Sequence, residues 1–169
     1  MRIILETRRL VLGEMSLDDL DFIAAMTADP FVMRWYPKRL SREQAAAGVR
    51  QQLDRYARDG IGAWLAREKS TGRPIGRIGL QTRPVNGVVE TEIAWMIHRP
   101  FQRCGYASEG GAACRDFALT TLILARVVAF VRPENVPSCG VAIKLGLNHV
   151  DRTVIAGLEH RVYAAVQLD

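Results

Sequence analysis

At 169 residues, 49% of them hydrophobic, the chain can bury one real core but is too short for two comfortable domains, so residues 1–169 read as a single domain. A net charge of +5 arises from 23 basic and 18 acidic side chains that are interspersed, which argues against a nucleic-acid arm and against a polybasic membrane patch. Three cysteines without a C-x-x-C pair and three scattered histidines point to neither a disulfide framework nor a zinc site, so no metal is expected.

The opening MRIILETRRLVLGEM is interrupted by Glu6, Thr7, Arg8 and Arg9 after a short apolar run, so it reads as neither a signal segment nor a membrane span, and a cytoplasmic protein is expected. A strand is predicted over residues 9 to 15. Ser16 with Asp19, and again Ser41 with Gln44, have capping-box spacing, and each opens a helix with an apolar face; Gly60 closes the second. From residue 63 the period shortens to that of strands. AWLAREK, IGRIGLQ and VVETEIAWMIH form an antiparallel meander, with Asn86-Gly87 as a hairpin signal. A helix over 106 to 120, a strand at RVVAFV, a helix over 136 to 146 and strands near 147 to 153 and 159 to 167 complete the order β-α-α-β-β-β-α-β-α-β-β. This is an α/β domain, a mixed sheet with helices on its faces.

Between the third strand of the meander and the next helix lies QRCGYA, residues 102 to 107. Backbone amides at a helix start point outward unpaired, and the helix dipole places roughly half a positive charge there, so the turn suits an anion such as phosphate. Gly105 permits positive φ and close approach of a ligand, and Ala107 and Ser108 keep the first turn open. A plain helix start with a convenient glycine explains the same six residues. A P-loop is excluded, because Gly111 and Ala112 stand where Lys and Ser or Thr must follow. A dinucleotide fingerprint is excluded because position 103 is Arg.

Gln102-Arg103-Cys104-Gly105-Tyr106-Ala107 resembles the Q/R-x-x-G-x-G/A acetyl-CoA pyrophosphate loop of the GNAT N-acetyltransferases. LETRRLVLGEMSLDDLDFIAAMTADPFVMRWYP is similar to the start of the subgroup related to the ribosomal-protein alanine acetyltransferases, and NVPSCGVAIKLGLNHV to its N-x-x-S-x-x-V-x-x-K-L-G-F element, so the resemblance covers nearly the whole chain. There are departures: Arg103 stands where the subgroup often has glycine, and Gly110-Gly111 stand in a helix where alanine is usual, which costs about 1 kcal/mol each.

The resemblance implies a mostly antiparallel, splayed sheet flanked by about four helices, with pantetheine in the gap beside Met96, Ile97 and His98. The pyrophosphate would sit on Gln102, Arg103, Cys104, Gly105, Tyr106, Ala107 and Ser108. It further implies that a backbone amide of Met96 or Ile97 stabilises the oxyanion and that Glu92 serves as general base, with Glu90, on the same face, or a water wire as the alternative. A carboxylate merely paired with an arginine explains Glu92 equally well. Ser138 falls on the inward stripe with Val141, Ala142 and Leu145, and in the subgroup the serine of N-x-x-S protonates the departing thiolate; a serine bonding back one turn is the bland alternative. Asn135 caps that helix or binds the pantetheine arm. Trp35 and Tyr36 line an acceptor mouth or pack on the core, and His160 contacts substrate or packs in the sheet. Cys104 and Cys139 have no neighbouring histidine in sequence, so covalent catalysis is not expected.

The expected activity is acetyl transfer from acetyl-CoA to a primary amine, of a protein N-terminus or a small molecule, by direct attack in a ternary complex. Acetyl-CoA and that acceptor are the expected partners, with a homodimer left open. The alternatives are a GNAT-shaped domain that binds acyl-CoA without turnover and a basic nucleic-acid module, for which aromatic residues, at 7%, are too few.

Overall fold

The computed structural model describes residues 1–166. It forms one 8-stranded sheet in the order β1-β2-β3-β4-β5-β6-β8-β7. The strands are β1 (Ile3–Glu6), β2 (Leu10–Gly13), β3 (Ala63–Glu68), β4 (Pro74–Val85), β5 (Val88–Ile97), β6 (Arg126–Val131), β7 (Asn148–Ile155) and β8 (Leu158–Val166). Four α-helices accompany them: α1 (Leu20–Ala28), α2 (Arg42–Asp59), α3 (Tyr106–Asp116) and α4 (Val136–Lys144). The order matches the reading from sequence except for β1, an edge strand paired antiparallel with β2. Residue 167, the last of the predicted closing strand, lies outside the described residues.

Local signals account for most boundaries. The capping boxes at Ser16–Asp19 and Ser41–Gln44 are both formed, the first opening a single 3-10 turn ahead of α1 and the second opening α2 directly. Asn86 and Gly87, at φ 50° and 80°, make the two-residue turn between β4 and β5, and Val85 pairs with Val88 across it. The predicted helix over 106 to 120 ends at Asp116 as α-helix and widens into a π turn over Phe117–Thr121, where Leu122 donates to the Phe117 carbonyl.

The alternation of side chains along β4 separates the two helical layers. Arg55 of α2 reaches Gln81, so α2 covers the face bearing Arg77, Gln81 and Arg83. On the opposite face, α3 lies so close to the sheet that a Cβ on Gly110 would stand 2.5 Å from Cδ1 of Ile78, and so close to the end of α4 that one on Gly111 would stand 2.9 Å from Cδ1 of Leu145. These glycines therefore trade helix propensity for close packing. Helix propensity alone favours Gly110→Ala by about 1 kcal/mol. Ile78 is fully buried, so its Cδ1 could retreat only into the packed core, and the overpacking, typically about 1–3 kcal/mol, should win. Gly110→Ala is thus expected to lower the melting temperature, by roughly 2–4 °C per kcal/mol, and a raised melting point would contradict this packing argument.

All neighbouring strands run antiparallel except β5 and β6, which are parallel and joined at one pair, Glu92 with Val128. Beyond Glu92 the two strands part. The sheet is therefore open along the C-terminal half of β5, and the ends of β5, β6 and α4 face one another across that opening.

Candidate active site

The loop leading into α3 has the backbone of an anion cradle. Gly105 has φ +83° and ψ 0°, in the left-handed region, and Arg103 has φ 63°. The second value gives a physical reason for glycine's advantage at position 103: a left-handed conformation costs a residue with a Cβ about 1–2 kcal/mol. Gln102 donates its amide to the Arg99 carbonyl and Glu109 donates to the Gly105 carbonyl, but none of the amides from Arg103 to Ser108 donates to a protein group among the described residues. This run of free donors at the positive end of a helix could hold an anion such as a diphosphate.

A contact that the sequence did not reveal braces the loop. Arg9, at the foot of β2, donates from Nη1 to the Cys104 carbonyl (3.0 Å) and from Nε to Glu109 (2.6 Å), and it lies over the Tyr106 ring, 4.4 Å from its centroid. The Arg9 amide and the Thr7 hydroxyl also donate to Glu109, at 2.8 and 2.6 Å. Burial works to raise the Glu109 pKa, but these donors outweigh it and hold the carboxyl below its ordinary value. Tyr106 adds a second anchor by donating its hydroxyl to Glu68 on β3.

The register of β4 and β5 decides which backbone groups face the opening. His98 donates its amide to the Ile75 carbonyl (2.9 Å), one pair beyond Gly76 and Ile97. Hydrogen-bonded and open pairs alternate in an antiparallel ladder, so the amides of Met96 and Ala94 also face β4. Leu80, which pairs with Ile93, gives its own amide away from β5, to Gly62 (3.1 Å), as that alternation requires. The amides of Trp95 and Ile97 are therefore the ones turned toward the gap. The expectation for residues 96 to 98 narrows accordingly: Met96 and His98 spend their amides on β4, and the His98 ring packs edge-on against Phe22. The Ile97 carbonyl accepts from Gln102 Nε2 (2.8 Å), which ties the loop to the strand end and leaves the Ile97 amide open.

A cleft of about 470 Å³ runs along the opening and is lined by Glu92, Trp95, Ser138, Asn135, Tyr36 and His160 among others. Glu92 is 7% exposed, and both its donors, Gln81 Nε2 (2.8 Å) and Arg83 Nε (2.9 Å), converge on Oε2; among the described residues Oε1 has none. Glu90 instead pairs with Arg126 at 3.1 Å. The Ser138 hydroxyl accepts from the Trp95 indole N–H at 3.3 Å and has no carbonyl acceptor one turn earlier among the described residues, so its own proton is free to point into the cleft. Asn135 caps α4 by accepting from the Ser138 amide (3.3 Å), which fixes where that helix begins.

Trp35 and Tyr36 both line the cleft. Tyr36 is 43% exposed as a residue, yet its hydroxyl end is sunk in the cleft, where burial raises the phenol pKa while Arg77 pulls it down and Glu92 adds to the rise. His160 Nδ1 lies 2.8 Å from the Leu158 carbonyl, an acceptor only, so Nδ1 carries a proton. Cys139 and Cys114 are buried and Cys104 is exposed. Among the described residues there is no cluster of metal-binding side chains, and no helix is long and apolar enough to cross a membrane.

A splayed sheet with a free-amide loop leading from the end of β5, and a carboxylate and a hydroxyl along the opening, is an arrangement that could hold a long ligand with a phosphate-bearing end. The family follows from comparison. A family model described as acetyltransferase (GNAT) domain matches residues 9–148, and the chain belongs to that family. The N-acetyltransferase YnaD of Bacillus subtilis (strain 168), itself uncharacterised, is 27% identical over 141 residues, covering 83% of this chain and 80% of that protein. The crystal structure of an acetyltransferase from Agrobacterium tumefaciens str. C58 superposes with a TM-score of 0.84 at 27% identity, covering 96% of this chain and 94% of that one. RimL, a ribosomal L7/L12 alpha-N-protein acetyltransferase solved with coenzyme A, shares the fold with a TM-score of 0.81 at 16% identity, over 98% of both chains. The chain is an acetyl-CoA-dependent N-acetyltransferase.

Proposed function

We propose that this enzyme transfers the acetyl group of acetyl-CoA to a primary amine, of a protein N-terminus or a small molecule, by direct attack in a ternary complex. The run of unpaired amides from Arg103 to Ser108 carries the reading. In it, these amides and the N-terminus of α3 hold the pyrophosphate, and Arg9 keeps the loop in shape. Asn135 borders the pantetheine arm. The amides of Trp95 and Ile97 face the gap, and one of them donates to the thioester oxygen as negative charge develops there.

Glu92 takes the proton that a primary ammonium must lose before it can attack. Glu92 lies three residues, roughly 10 Å of strand, from Trp95, so a short wire of water molecules carries the proton from the amine to Oε1. Acetyl-CoA supplies the acetyl group: a carbon–nitrogen bond forms, the carbon–sulfur bond breaks, and the thiolate departs. Ser138 then gives its hydroxyl proton to the leaving sulfur and regains one from solvent. Alignment of two substrates in one cleft supplies much of the remaining rate.

Glu92→Gln keeps the shape and the Gln81 contact but removes the base. Its kcat should fall by about a hundredfold or more, with the deficit shrinking as pH rises and more of the amine is free of its proton. An unchanged kcat at neutral pH would assign Glu92 to a structural pair with Arg83.

A further inference from the structure

The half of the cleft on the α2 side is strongly cationic. Arg55, Arg77 and Arg83 line it, with Glu92 as the one carboxylate on that wall, and Glu92 is engaged by Arg83. Arg55 donates from Nη1 to Gln81 Oε1 (2.7 Å), and neither Arg55 nor Arg77 meets a carboxylate within salt-bridge distance among the described residues. Other arginines that face the sheet or its edges meet acids, as Arg9 does at Glu109, Arg67 at Asp19 and Arg126 at Glu90, whereas Arg55 and Arg77 line a cleft with no acid paired to them among the described residues. Arg77 and Arg83 both act on the buried Tyr36 hydroxyl, which places their charge around one point of the cleft.

These groups are not placed for the phosphates of acetyl-CoA. Arg77, Gln81 and Arg83 project from the sheet face under α2, whereas the free-amide loop opens at the start of α3, which packs on the other face, and no residue of that loop lines this cleft. A second cavity of about 500 Å³ shares Arg55 and Arg83 with the cleft and continues between the β4–β5 and β7–β8 hairpins, so these two arginines can also be reached from the side away from the gap.

We propose that the acceptor amine carries a carboxylate, held by the guanidinium groups of Arg55, Arg77 and Arg83 while the amine faces the β5–β6 gap. Planar guanidinium forks match carboxylates in geometry as well as charge. A polyamine would instead meet like charge at this wall and is disfavoured. The proposal rests on the N-acetyltransferase reading above, and its test separates the two.

The protein is given L-alanine, L-alaninamide, L-glutamate, the dipeptide alanyl-glutamate and spermidine. Thiol release from acetyl-CoA is measured for each, and in parallel the binding of each amine to the CoA-loaded protein is measured by calorimetry. Carboxylate-bearing amines should bind at least tenfold more tightly than alaninamide or spermidine, and Arg77→Gln should reduce that preference roughly tenfold at an unchanged melting temperature, with Arg77→Lys between the two. Preference for L-glutamate over the dipeptide marks a free amino acid as the source of the carboxylate, and the reverse marks an acidic peptide; both support the anionic acceptor. If the calorimetric preference holds but no amine releases thiol, the carboxylate site stands and the transfer reading falls. Turnover or binding that favours alaninamide or spermidine, or a preference untouched by both Arg77 variants and by Arg55→Gln, overturns the proposal.

Discussion

Replacing Ser138 with alanine is expected to lower kcat by about a hundredfold to ten-thousandfold while leaving acetyl-CoA affinity nearly unchanged. The reason lies in what the hydroxyl already does. It accepts from the Trp95 indole, so its oxygen is fixed at the edge of the cleft and its own proton is the one left to give. That proton matters only as the carbon–sulfur bond breaks, so its removal touches the transition state and not the ground state. The full loss appears where thiolate departure limits turnover. The indole N–H loses its acceptor in the variant, so the melting temperature belongs in the same experiment; a fall in kcat without a fall in stability isolates the chemical role. Wild-type kcat with the true acceptor would make Ser138 a packing residue.

The second large effect is at Gly105. In wild type, acetyl-CoA at one hundred times its Kd should stabilise the fold by roughly 2.7 kcal/mol, and Gly105→Asp should abolish most of that gain. A Cβ built at Gly105 would stand 3.3 Å from Arg9 Nη2 with nothing else within 4 Å, so the side chain enters the mouth of the loop and not the core. Aspartate tolerates the left-handed region better than most residues, and its carboxylate would lie beside Arg9, so the apo fold should persist. The same carboxylate would occupy and repel the space of the pyrophosphate. Gly105→Val tests shape without charge, at the greater strain of a β-branched residue at φ +83°. Undiminished stabilisation by acetyl-CoA in both variants would show that the pyrophosphate lies elsewhere.

What was legible in the chain was what is encoded locally. Both capping boxes, the Asn86-Gly87 turn and the Gly60 cap are short-range devices whose residues have few other uses, and the structure forms them where the spacing placed them. The turn between β7 and β8 has the same left-handed pair of positions, but Ala156 occupies the first at φ 51°, and alanine carries no turn signal. The missed β1 is four residues long and owes its place to pairing with β2, a contact the apolar pattern of Ile3 to Leu5 alone does not reveal.

The candidate site divides in the same way. Gln102 to Ser108, Asn135 and Ser138 stand in ordered motifs, so their neighbourhood was readable. The brace between Arg9 and Glu109 spans one hundred positions and leaves no periodic trace. The direction of each amide on β5 depends on the register with β4, and a one-residue slip would reverse it. That is why Met96 and His98 looked equivalent to Ile97 in sequence and are not equivalent in the ladder. Tryptophan at position 95 carries no motif that singles it out; only the fold brings its indole to Ser138.

The claim on which everything else stands is that the chain moves an acetyl group from acetyl-CoA onto nitrogen. It is tested most directly by following thiol release from acetyl-CoA with and without amines, together with the mass of the recovered acceptor. The expected result is release that depends on the amine, matched one to one by an acceptor carrying a single added acetyl group on its nitrogen, and lost in Ser138→Ala and Glu92→Gln. Tight acetyl-CoA binding with no amine-dependent release across protein N-termini, amino acids, peptides and polyamines would contradict it and leave a thioester-binding domain without turnover.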